Sequence, residues 1–267
     1  MSVSLNFTGF PRLVLLAIAI LFLSSVYAQS PPDKMDLYLL IGQSNMAGRG
    51  KIDPAANPER EGIWVIQADN QWKKAKDPVH YDKPAVAGVG PGLAFAEKVR
   101  EERPDRAIGL IPCAVGGSRI GDWVPGRKHE QTGIYTYDAM LERVKNAQKN
   151  GVIKGILWHQ GEGDSTPERS AVYNKKLKAF FKKLRKDIGV KKAPIIIGTL
   201  GDFYVKKTPE AAAINRIIEA FPQENKRVYS VSAAGLTDGG DKTHFDAASA
   251  REFGRRYAAR YLSVTKK

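Results

Sequence analysis

The chain has 267 residues, a net charge of +14, 26% charged and 43% hydrophobic residues and one cysteine. That hydrophobic content and length suffice for a well-buried core, which excludes a disordered or low-complexity protein. A lone Cys113 excludes an intramolecular disulfide framework.

The first 28 residues hold Arg12, an apolar run from Leu13 to Leu23, and small residues ending at Ala28. This layout predicts a secretory signal peptide cleaved after Ala28, and hence a secreted or periplasmic protein, with an uncleaved anchor as the alternative. The run is shorter than the roughly 20 apolar residues of a membrane-spanning helix. Residues 29–267 then form a single domain, with no repeat or linker to divide it. Of the charge, the signal removes only Arg12. A basic surface of this size attracts acidic partners, but no nucleic-acid readout motif is present and nucleic acid is not an expected partner.

Apolar, β-branched runs recur at Asp36 to Ile41, Ala107 to Cys113, Ile153 to Trp158, Pro194 to Thr199 and Arg227 to Val231. Amphipathic helical stretches separate them, which predicts a three-layer α/β fold with a central parallel sheet of about five strands. Cys113, closing the second run, reads as a small buried hydrophobe. Lys175, Lys176, Lys178, Lys182, Lys183, Arg185 and Lys186 interleave with Val172, Leu177, Phe180, Phe181, Leu184 and Ile188 as the basic, solvated face of one helix. Thr208 before Pro209 predicts a helix start, and Gly151 and Gly189 predict helix ends. A last helix is expected from Asp246 as cap to about Leu262. The segment 52–90 lacks a period and reads as a long surface insertion. Its Trp64, Trp72 and Tyr81 are expected to pack the loop on itself, with stacking on sugar rings as the alternative.

Directly after the first run comes Gly42-Gln43-Ser44-Asn45-Met46-Ala47-Gly48. This places Ser44 in a glycine-bounded turn at the carboxyl edge of the sheet, where open α/β sheets bind ligands. A serine hydroxyl needs an adjacent base, itself oriented by a carboxylate. His244 lies in Asp241-Lys242-Thr243-His244, a spacing that lets Asp241 accept from Nδ1–H while Nε2 faces Ser44. His80 and His129 read as surface residues. His159 belongs to Trp158-His159-Gln160-Gly161-Glu162-Gly163-Asp164, again at the sheet edge, where the Gln160 amide can face a developing oxyanion. A further donor is expected from the turn Ala114-Val115-Gly116-Gly117-Ser118.

Taken together, the Gly-Gln-Ser-Asn-Met block, the Gly-Gly turn, the Trp-His-Gln-Gly-Glu block and the Asp-x-x-His-Phe-Asp ending resemble the SGNH-hydrolase group of carbohydrate acetylesterases. Within it the chain is most similar to acetylxylan esterases and sialate O-acetylesterase-like proteins. The resemblance implies a flavodoxin-like sheet, no cofactor, and hydrolysis of acetyl esters on sugars, with xylan or a related polysaccharide the first substrate and O-acetylated sialic acid the second. It also implies Ser44 as nucleophile, His244 as base and Asp241 as orienting acid. The oxyanion hole would comprise Ser44 N–H, Gly117 N–H and the Gln160 side chain. Gln43, Asn45, His159 and Glu162 stand as supporting residues, and Glu162 is an alternative partner of His244. The chain carries Gln-Gly-Glu where many SGNH members have Gly-x-Asn-Asp.

Two other readings compete. A metal-dependent hydrolase would draw on His159, Glu162, Asp164, Asp241 and His244, but their spacing matches no zinc pattern. A non-catalytic carbohydrate-, phosphate- or flavin-binding protein would use the loop 42–48, which lacks the Gly-Lys-Ser/Thr ending of a phosphate-binding loop.

Overall fold

The computed structural model describes Met1 and residues 31–266; the export signal expected over residues 1–28 lies outside the described residues. Strand β1 (Met35–Gly42) is buried along its whole length, as expected of a strand covered on both faces. It pairs in parallel with β4 (Ile108–Pro112) on one side and β5 (Gly151–His159) on the other. Beyond β5 lie β6 (Ile195–Gly198) and β7 (Val228–Val231), also parallel. Beyond β4 lies β2 (Arg60–Ile66), followed by β3 (Trp72–Ala75), the only antiparallel neighbour among them. The sheet order is β3-β2-β4-β1-β5-β6-β7.

The expected five strands are thus seven, and the two additions come from the segment 52–90 that reads as an irregular insertion. Their apolar register is short: only Ile63 to Ile66 of β2 are buried, and β3, with adjacent Lys73 and Lys74 between Trp72 and Ala75, buries only Ala75. The insertion's aromatics pack inward, but onto the body of the fold rather than only on the loop itself. Trp64 joins the core, the Trp72 indole N–H donates to Asn150 (3.1 Å), and the Tyr81 ring lies beneath Arg143 at 4.8 Å.

Alternation along β1 feeds two cores. Leu37, Leu39 and Ile41 point to the layer formed by α3 (Thr136–Ala147), α4 (Pro167–Asp187) and α6 (Ala211–Glu224). Tyr38 and Leu40 point to the layer of α2 (Pro91–Glu102) and α7 (Ala247–Thr265). Each buried Leu or Ile contributes about 1.5–3 kcal/mol relative to exposure, so a one-residue slip of β1 would move whole sets of side chains to the wrong layer. The basic helix is α4, with Tyr173 rather than Val172 on its buried face.

Several local expectations need correction. Thr208 closes α5 (Asp202–Lys207), and α6 begins three residues later, its Ala211 N–H bonded to the Thr208 carbonyl. Gly151 opens β5, because α3 has already ended at Ala147. Gly189 does follow α4 with a left-handed φ of +69°, and Asp246 caps α7 by accepting from Ser249 N–H at 2.7 Å. That helix continues to Thr265. His80 and His129 are buried, not on the surface; burial pushes the His80 imidazole down to about 4, so it is neutral at pH 7. Cys113 is buried, and burial raises its thiol. Among the described residues no helix is long and apolar enough to cross a membrane.

Candidate active site

Strand β1 delivers the chain to the carboxyl edge of the sheet, and Gly42 turns it there. Its φ of +128° and the backbone of His159, which a Cβ would meet at 2.0 Å, require glycine. Gln43 is extended, and Ser44 is the first residue of the single-turn α1 (Ser44–Ala47). Ser44 is only 6% exposed. Its N–H is one of the first-turn donors that a helix leaves unpaired, and it makes no hydrogen bond among the described residues.

His244 arrives on a loop folded on itself between Asp238 and Phe245, where Gly239 N–H donates to the His244 carbonyl at 2.9 Å. Asp241 organises this loop. One carboxylate oxygen accepts the N–H groups of Thr243 and His244, each at 2.8 Å, and the other lies 2.6 Å from His244 Nδ1. Burial opposes the Asp241 charge, but these donors outweigh it and hold the carboxyl below its usual range. A proton on Nδ1 satisfies that carboxylate and leaves the Nε2 lone pair facing Ser44 Oγ, 3.0 Å away. Ser44, His244 and Asp241 therefore form one hydrogen-bonded chain.

The other predicted residues form a buried shelf behind Ser44. Asn45 donates to Glu162 at 2.6 Å and to the Thr243 carbonyl at 3.0 Å, and accepts from Phe245 N–H at 3.1 Å. It thus ties the His244 loop to the serine turn. Glu162 lies 3.4 Å from His159 Nε2, and does not contact His244, so the alternative of Glu162 as partner of the base is set aside. Burial would raise the Glu162 carboxyl, yet His159 and the Asn45 amide together hold it below the ordinary glutamate range. The His159 ring is enclosed edge-on by Phe245 and Phe253.

Gln160 differs from expectation. It is fully buried, and its amide nitrogen faces Asp164 at 2.7 Å, Gln43 at 3.2 Å and the Ser118 carbonyl at 3.3 Å. Three acceptors already compete for its two hydrogens, which leaves none for an oxyanion. The sequence does carry a signal for this arrangement, because Asp164 follows Gln160 by four residues across a turn.

The turn after β4 stands against Gly42. Val115 N–H and the Ser118 hydroxyl both donate to the Gly42 carbonyl, at 3.0 and 3.3 Å. Gly117 has φ +87°, and its N–H makes no hydrogen bond among the described residues. Asp82 fixes the turn from behind, accepting Gly116 N–H at 2.7 Å while paired with Arg49 at 2.9 Å. Sequence reasoning missed this buried ion pair; the contact separates its partners by 33 positions, and no local pattern marks it. Among the described residues no cluster of three or more His, Cys, Asp or Glu side chains is placed to hold a metal ion.

The geometry is that of an acyl-transfer site, and comparison with known proteins places it in a lineage. Residues 34–263 match the family model described as carbohydrate esterase, sialic acid-specific acetylesterase. The chain belongs to this family. It is accordingly a carbohydrate esterase, a carboxylic ester hydrolase. A probable carbohydrate esterase of Arabidopsis thaliana is 33% identical over 257 residues, covering 88% of this chain and 93% of the relative. An X-ray structure of an Arabidopsis thaliana protein shares the fold with a TM-score of 0.77 at 31% identity, over 87% of this chain and 99% of the other. NanS has a TM-score of 0.70 at 18% identity, over 88% and 98%. A carbohydrate acetylesterase from Xanthomonas citri has 0.65 at 20%, over 86% of this chain and 56% of its own. The last two speak for the fold.

Proposed function

We propose that this esterase removes O-acetyl groups from carbohydrates, acetylated xylan or a related polysaccharide, through an acetyl-enzyme formed on Ser44. The observation that carries the reading is the 3.0 Å contact between Ser44 Oγ and His244 Nε2, with Asp241 behind the ring at 2.6 Å. His244 takes the hydroxyl proton as Oγ adds to the ester carbonyl. The free N–H groups of Ser44 and Gly117 are the candidate donors to the tetrahedral oxyanion. Collapse expels the sugar alkoxide, which leaves with the proton from His244. Water then adds to the acetyl-enzyme with the same base, and acetate departs. A second substrate, O-acetylated sialic acid, is supported by the description of the matching family. Residues 1–28 are proposed to direct export.

The test is a panel of acetylated sugars assayed with the wild-type and Ser44→Ala proteins. The variant should stay folded and lose kcat by on the order of a millionfold, as serine hydrolases do on losing the nucleophile. Turnover at the wild-type rate would remove Ser44 from the mechanism.

A further inference from the structure

The two N–H groups that would receive the oxyanion sit on separate turns, Ser44 at the start of α1 and Gly117 after β4. One buried ion pair joins these turns. Arg49 Nη1 donates to the Gly48 carbonyl at 2.7 Å, and Gly48 N–H in turn closes α1 on the Ser44 carbonyl at 2.8 Å. Arg49 Nη2 donates to Asp82 Oδ2 at 2.9 Å, and the same oxygen accepts Gly116 N–H at 2.7 Å. The two side chains are 8% and 3% exposed. Burial opposes the Asp82 charge, but Arg49 and the Gly116 N–H outweigh it and hold the carboxyl below its usual range. A Cβ on Gly116 would lie 2.4 Å from Arg49 Nη2 and 3.0 Å from Asp82 Oδ2. The first glycine of the Gly-Gly turn is therefore required by how closely the pair packs on its backbone.

Neither Arg49 nor Asp82 hydrogen-bonds to the side chains of Ser44, His244 or Asp241, so the pair acts on the chemistry only through backbone. A buried ion pair is weak evidence for stability, since desolvation offsets most of its attraction; its value here lies in what it spans. Oxyanion donors work only when aimed at the place where charge develops, and a misplacement of about 1 Å can cost on the order of 100-fold in rate. We propose that Arg49 and Asp82 are positioning residues that hold the Ser44 and Gly117 N–H groups at one fixed separation, so that both donate to the same oxyanion. The inference rests on the acetyl-enzyme mechanism proposed above. It gives the segment 52–90, which supplies Asp82, a part in turnover that needs no contact with substrate.

The experiment measures kcat and KM of the full chain for a chromogenic acetyl ester, and inhibition by phenylboronic acid, which adds to a serine oxygen as a tetrahedral anion. Formation and hydrolysis of the acetyl-enzyme both pass through an oxyanion, so a misplaced donor slows both steps. Asp82→Ala should therefore lower kcat by about 10- to 100-fold, short of the ~100- to 1,000-fold that follows outright loss of a donor, with KM unchanged. The Ki of phenylboronic acid should rise by the factor by which kcat falls. Asp82→Asn keeps an oxygen for the Gly116 N–H and should recover most of the loss. Asp82→Ala also strands the buried Arg49 charge, so the double variant Arg49→Met/Asp82→Ala, which removes both charges, guards against a folding defect. Because the two residues form one bridge, the double variant should be no slower than the worse of the two single variants. Losses that multiply would overturn the inference. So would wild-type kcat in Asp82→Ala, or a fall in kcat with an unmoved Ki, the mark of damage elsewhere. Ser44→Ala separates the two claims. Wild-type turnover in that variant would end the acetyl-enzyme mechanism and the inference with it, whereas loss in Ser44→Ala without loss in Asp82→Ala would end the inference alone.

Discussion

The two walls that meet at Ser44 are built on opposite principles. The His244 loop is local and open: Asp241 is half exposed and reaches its partners two and three residues away. The shelf behind the serine is remote and closed. Asn45 and Gln43 bind Glu162 and Gln160 across 117 positions, with all four side chains buried. Exposed hydrogen-bonded pairs contribute little to stability, whereas a buried polar network is costly to break because each abandoned group stays desolvated. The open wall can thus carry charge and proton movement, while the closed wall holds position.

The largest effect that would break this contrast is expected at Asp241. Asp241→Asn should lower kcat by on the order of 10⁴, the loss seen when the orienting carboxylate of a catalytic triad becomes an amide. Its thermal midpoint should barely move; a large drop would mean that the open wall also supports the fold. Gln160→Ala should do the reverse, costing about 1–3 kcal/mol of stability as Asp164 and Ser118 lose their donor, with kcat falling less than about tenfold. A hundredfold loss of kcat at unchanged stability would return the Gln160 amide to the oxyanion hole.

The smallest effect sharpens the contrast through pH. Glu162 is held below the ordinary glutamate value of 4.5 in the folded protein, so the unfolded chain takes up its proton first. Its contribution is present above that value and is lost as pH falls through the folded one. Glu162→Gln should therefore flatten the acid limb of a stability-versus-pH curve. Asp164 cannot mimic this result. Burial raises its carboxyl, so its contribution is present at low pH and fades as pH rises. An unaltered acid limb in Glu162→Gln would show that the closed wall does not depend on that charge.

The same division explains what could be read from sequence. Asp241 and His244 share one turn, so their spacing shows in the chain; Ser44 follows an apolar run that needs no partner to be recognised as a strand. The capping of α7 by Asp246 is equally local. Long-range contacts left weaker traces. His80 and His129 sit among polar loop residues, and only the packing of distant elements buries them. Strand β2 buries only its last four residues, and β3 has two adjacent lysines between Trp72 and Ala75 at the sheet edge, which resembles an irregular loop until β4 pairs with its neighbour. Gln160 sits at the sheet edge its sequence position predicts, but its amide turns to Asp164, Gln43 and Ser118, and an amide near a reaction centre has no local mark saying which acceptors claim it.

Asn45, next to Ser44 in the chain, grips the loop that carries His244. The nucleophile and the residue that grips the base's loop are consecutive in the chain, joined by a single rigid peptide plane. A displacement of β1 that moves Ser44 therefore also moves the side chain that anchors the loop carrying His244.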